Sequence, residues 1–165
     1  MIERHALLLV AFALGVGGCW PGRCDGALRG TPMVHFTGDH APCTEGPACA
    51  ERLEPDAGFH QRGDFARVDD PSALVAKAGM DAGSWFLVDE SGATIPATIR
   101  AVQHDSAHSC ASAIGFELVP ELDLAPGVYR LVLLVEQVRW PVLRQGVALT
   151  SWDGQPAIVQ YYRVV

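Results

Sequence analysis

Between Ser84 and Val165 the chain repeats one pattern: short runs rich in Val, Ile, Leu and aromatics, each closed by turn-forming residues. The spacing, roughly 8–15 residues per run, suits strands that fold back on one another and excludes a helical bundle. The runs are 84–88, 94–102, 114–119, 128–137, 142–149 and 157–165. Val128 to Gln137 is the strongest. Tyr129, Leu131, Leu133 and Val135 alternate with Arg130, Val132, Leu134 and Glu136, so one face is apolar and the other mixed. A strand with apolar residues on both faces belongs in the middle of a covered sheet. Asp89-Glu90-Ser91-Gly92 and Trp152-Asp153-Gly154-Gln155 supply turns. Pro96 inside 94–102 marks an edge or a bulge. One helix is expected, over Asp69 to Gly79: Asp70 can cap it, Pro71 suits its first turn and Gly79 can close it. The expected class is all-β, a sandwich or barrel with one short helix.

The stretch from Trp20 to Ala66 reads differently. Pro21, Pro32, Pro42, Pro47 and Pro55 alternate with Gly22, Gly26, Gly30, Gly38, Gly46, Gly58 and Gly63, which leaves no room for a long helix. Only Met33 to Thr37 has strand alternation. Residues 19–60 are therefore expected to be an irregular, cysteine-bearing tether, and 61–165 the folded unit. Of 165 residues, 49% are hydrophobic, enough for a core. The net charge of −7 argues against a nucleic-acid partner. The chain has no Asn, so it has no N-glycosylation acceptor.

Residues 1–18 begin with a short charged stretch and continue as an apolar run from Ala6 to Gly18. The run is shorter than the roughly 20 residues of a spanning helix and suits a signal peptide. It ends Val16-Gly17-Gly18-Cys19, which resembles the lipobox of bacterial lipoproteins. The resemblance implies that Cys19 is lipidated and becomes the mature N-terminus. The family's three acyl chains exceed what stable membrane attachment needs. Expected localisation follows: the cell envelope, on the periplasmic or surface face, with the lipid bilayer as a partner. Cys24, Cys43, Cys49 and Cys110 then remain, an even number that suits disulfides in an exported protein. Three connectivities are open. The turn-rich loop Thr44 to Ala48 favours Cys43–Cys49, which leaves Cys24–Cys110.

Leu124-Ala125-Pro126-Gly127-Val128-Tyr129, directly before the best strand, resembles the tyrosine-corner entry of immunoglobulin-like and fibronectin-type domains. There the Pro-Gly turn leads in, Leu124 packs inward and the Tyr129 hydroxyl bonds back to nearby backbone. The stretch from Phe86 to Leu134 is similar to bacterial Ig-like modules, with Asp89-x-x-Gly92-x-x-x-Pro96 and Pro120 through Tyr129 as its motifs. This implies an immunoglobulin-like antiparallel β-sandwich. It says little about activity.

No nucleophile elbow, zinc-protease helix, phosphate loop or dinucleotide fingerprint occurs, so an enzyme is not expected and no cofactor is implied beyond the lipid. The densest chemical cluster is His104-Asp105-Ser106-Ala107-His108-Ser109-Cys110. His104 and His108 are the candidate ligands for copper or zinc, with His35, His40 and His60 as possible contributors. The alternative is a polar loop between strands. Trp85 reads as core. Trp140 and Trp152 either pack over a core edge or stand exposed to bind sugar or protein. The expected role is non-catalytic interaction or envelope structure, with an envelope protein or glycan as partner; metal handling is the alternative.

Overall fold

The computed structural model describes residues 34–35, 43–64, 70, 72–104, 113–144 and 147–165. Cys19, Cys24, His40, His108 and Cys110, and so the lipidation site and the second disulfide, lie outside these residues. The strands are β1 (Val34–His35), β2 (Glu51–Leu53), β3 (Phe59–Asp64), β4 (Trp85–Val88), β5 (Thr94–Ile95), β6 (Ala97–His104), β7 (Ala113–Pro120), β8 (Gly127–Leu134), β9 (Val142–Leu143), β10 (Thr150–Trp152) and β11 (Gln155–Val164). The one α-helix among the described residues is α1 (Ser72–Ala78), and Pro47–Cys49 forms a single 3-10 turn. The fold is mostly β. Strands β6-β7-β3-β1-β9 form a five-stranded sheet; β10-β11-β8-β4-β5, with β2 added beside β11, form a six-stranded one.

Both sheets face one core. Phe59, Phe116 and Leu118 of the first sheet are buried in the same cluster as Trp85, Leu87, Tyr129, Leu131, Leu133 and Ile158 of the second. Phe59 meets Tyr162 edge-on across the sheets, with ring centroids 4.8 Å apart. Strand β8 is central, paired to β11 on one side and β4 on the other. Its mixed face is covered as expected: Val132 and Leu134 join Val88, Ala157 and Val159 in a second buried cluster under Phe86, Trp152 and Tyr161. Trp140 packs at the margin of the main core, near Phe116.

Local signals act where they were read. Asp70 Oδ1 accepts the Ser72 N–H (3.0 Å) and caps α1. Gly79 (φ +72°) closes the helix, with the Met80 N–H on the Val75 carbonyl. The Tyr129 hydroxyl donates to the Ala125 carbonyl at 2.8 Å, and Leu124 is buried, so the corner forms. Pro96 stands where the chain leaves β5 in one sheet and enters β6 in the other. The Trp152–Gln155 turn is a two-residue loop with Asp153 and Gly154 both at positive φ.

Two features differ from expectation. Pairing is not wholly antiparallel: β1 runs parallel to β9, and β2 parallel to β11. The stretch expected as a tether also supplies sheet strands. Strand β1 falls within the expected Met33–Thr37 run, but β2 was not anticipated, and neither was β3, which begins at Phe59. The Cys43–Cys49 disulfide is formed, with Cα atoms 5.5 Å apart. It closes the loop that lies along β11, where the Tyr161 N–H donates to the Cys43 carbonyl (2.8 Å). The outer side of β11 is thus occupied by β10, Cys43 and β2 in turn, which limits edge-to-edge association.

Burial, and then the nearby Glu51 carboxylate, push the Tyr162 phenol well above its ordinary value. The folded chain therefore keeps this proton after the unfolded chain has released it. Its contribution to stability is intact below pH about 10 and declines as pH rises above that. Urea midpoints at pH about 8 and about 11 should differ more in the native chain than in Tyr162→Phe; equal pH dependence would refute the assignment.

Candidate functional site

The site is built at the start of β8 on the outward face of the six-stranded sheet. Here a cleft of about 410 Å³ is lined by Pro47, Glu90, Val128, Arg130 and Tyr161. A shallower hollow of about 290 Å³ shares Glu90 and Val128 and runs along Pro126 and Gly127. The cleft falls within the size range of small-molecule sites.

Strand register assembles it. Arg130 lies opposite Val88 of β4 on one side and Tyr161 of β11 on the other. Two pairs further along, on the same face, Val128 lies opposite Arg163, which in turn lies opposite Arg52 of β2. Strand β4 ends at Val88, so the Val128 N–H has no strand partner there; Glu90 Oε1 accepts it instead, at 3.0 Å. Arg130 Nη2 donates to the Asp89 carbonyl at 3.0 Å, and its guanidinium lies 5.0 Å from the Trp152 ring centroid. Such a cation–π contact contributes about 0.5–1 kcal/mol at a surface site. Phe86 buttresses Trp152 edge-on at 6.0 Å. Arg163 Nη2 donates to the Pro47 carbonyl (3.3 Å), so the disulfide loop forms one wall.

The β4–β5 turn beneath is rigidly tied. Asp89 Oδ1 accepts the Ser91 hydroxyl (2.6 Å) and the Ala93 N–H (2.9 Å), and Gly92 takes φ +88°. The Ser91 hydroxyl, followed by backbone N–H groups of the turn, holds the Asp89 carboxyl below its usual range. The arrangement is a fixed arginine and a fixed glutamate on one apolar-walled cleft. It suits binding and has no nucleophile–base pair among its described lining residues.

On the other sheet, His60, Glu117 and Arg100 lie directly opposite one another across β3, β7 and β6. Glu117, whose side chain is only 12% exposed, is 2.6 Å from Arg100 Nε and 3.3 Å from His60 Nδ1. Both partners are largely exposed, at 63% and 59%. This is a cross-strand charge ladder. It engages His60 without gathering the histidines: His104 pairs with Ala113 at the far end of β6, four residues beyond Arg100, or about 13 Å along the strand. Among the described residues no group of three or more His, Cys, Asp or Glu is placed to hold a metal. Of the expected site residues that lie among the described residues, the structure joins Cys43 and Cys49. Glu90, Arg130 and Tyr161 were not anticipated; the one available signal was an arginine in the middle of the strongest strand.

Among the described residues no helix is long and apolar enough to cross a membrane. No family model, curated protein or solved structure matches the chain.

Proposed function

We propose that this is an exported, lipid-anchored envelope protein whose β-rich domain is an immunoglobulin-like sandwich with a non-catalytic binding role. The observation that carries the binding role is the cleft at the start of β8. There Arg130 and Glu90 are each fixed by a backbone group and face the same space. Three further features support the reading. Val16-Gly17-Gly18-Cys19 has the form of a lipobox. A Cys43–Cys49 disulfide fits an oxidising compartment. The Tyr129–Ala125 hydrogen bond is the corner contact of immunoglobulin-like domains. In this reading the lipid holds the domain at the envelope, and the cleft meets a glycan or protein there.

The intact native mass of the protein, taken from the membrane fraction in mild detergent, tests this. The expected mass begins at Cys19, carries three acyl chains and is lighter by one H₂ for each disulfide. An unlipidated mass would overturn the anchor, and a stoichiometric copper or zinc adduct would replace the binding role with metal handling.

A further inference from the structure

We propose that the cleft between Arg130, Glu90 and Tyr161 binds an acidic saccharide, with the sugar carboxylate on Arg130. This deepens the binding role above and rests on it.

The charge pattern is the first argument. The chain carries a net charge of −7, yet Arg130 lines this cleft, and Arg163 and Arg52 follow on the adjoining strands β11 and β2. Arg163 and Arg52 are direct cross-strand partners, a like-charge pair that disfavours the sheet unless an anion lies near it. Among the described residues no carboxylate neutralises Arg130; it is held by the Asp89 carbonyl and the Trp152 ring. Those contacts fix the plane of the guanidinium and leave N–H groups for a bidentate carboxylate.

The second argument is selection. Glu90 lines the same cleft, with one carboxylate oxygen on the Val128 N–H and the other able to accept hydroxyls. A negative group at that position disfavours dianions such as phosphate and favours a singly charged ligand rich in O–H donors. Pro47, Val128 and Tyr161 give apolar walls suited to the C–H face of a sugar ring. A volume of about 410 Å³ suits a ligand of one or two rings.

The test uses the full-length chain in mild detergent at low salt. Sodium glucuronate, glucose and inorganic phosphate are titrated separately, following the Arg130 Nε–H and Tyr161 resonances by NMR. Glucuronate should saturate both signals and bind at least about tenfold more tightly than glucose or phosphate. Arg130→Gln should lose about tenfold or more in affinity. Arg130→Lys, which keeps the charge without the planar fork, should fall between, and serves if Arg130→Gln does not fold. Phosphate binding as tightly as glucuronate would show a general anion site and overturn the proposal. So would glucose equal to glucuronate, or no saturable binding. Saturation by glucuronate in a chain whose mass shows no lipid would leave this inference standing and remove only the anchor.

Discussion

Trp85→Ala should lower stability by about 3–5 kcal/mol, a large part of what a domain of this size holds. Trp85 is fully buried in β4, opposite Leu133 of the central strand, and is the largest of the fully buried side chains. Alanine there leaves a cavity that the surrounding Leu, Phe and Met side chains cannot close. The same residue offers a sharper contrast. Its indole Nε1 is buried and donates to no acceptor among the described residues, at a cost of about 1–3 kcal/mol for an unsatisfied polar group. Trp85→Phe removes that group along with part of the ring. The lost packing and the removed penalty then oppose each other, and the net change should stay within about 1.5 kcal/mol. Urea midpoints of the three proteins decide the matter: a phenylalanine variant as unstable as the alanine one would show that the N–H costs nothing.

Gly79→Ala should cost about 2–5 kcal/mol. Gly79 adopts φ +72° to end α1, a conformation that charges an L side chain about 1–2 kcal/mol. Position adds to this. A Cβ there would stand 2.8 Å from the Arg139 backbone nitrogen and 2.9 Å from Arg139 Cγ. The nitrogen cannot retreat cheaply, because its N–H donates to the Ala78 carbonyl at 2.8 Å and ties the helix end to the segment after β8. Overpacking of this kind adds about 1–3 kcal/mol. Gly154 is the control. It also has positive φ, +80°, but nothing lies within 4 Å of its Cβ position. Gly154→Ala should cost only the conformational share, about 1 kcal/mol. Equal losses at the two positions would mean that the contact with Arg139 is soft.

Legibility in this chain followed the range of the interaction. The Asp70 cap, the Gly79 stop, the Asp89–Gly92 turn and the Tyr129 corner are each complete within a few residues, and each forms where it was read. The two faces of β8 were visible because Tyr129, Leu131 and Leu133 keep one face apolar while Arg130 breaks the other. Strand β3 was hidden for the opposite reason. The buried face of Phe59–Asp64 carries Gln61, which reaches the buried Gln160 side chain (3.3 Å), so a polar pair stands where an apolar repeat would have signalled a strand. The Gly and Pro residues of 20–66 read as breakers of structure, yet the same stretch supplies β1, β2 and β3, and β3 is the middle strand of the five-stranded sheet.

The cleft lay beyond local reading for a geometric reason. Pro47, Glu90, Arg130 and Tyr161 are far apart in the chain and come together only through the pairings of β11 with β8 and of β8 with β4. Side-chain periodicity and turn chemistry, which depend on neighbours along the chain, decided that this protein is β-rich, where its turns fall and which face of β8 turns inward. Which strands pair, which pairings run parallel and which charges meet across them were decided by tertiary packing. Those choices depend on burying two apolar faces at once, and no single segment encodes that condition.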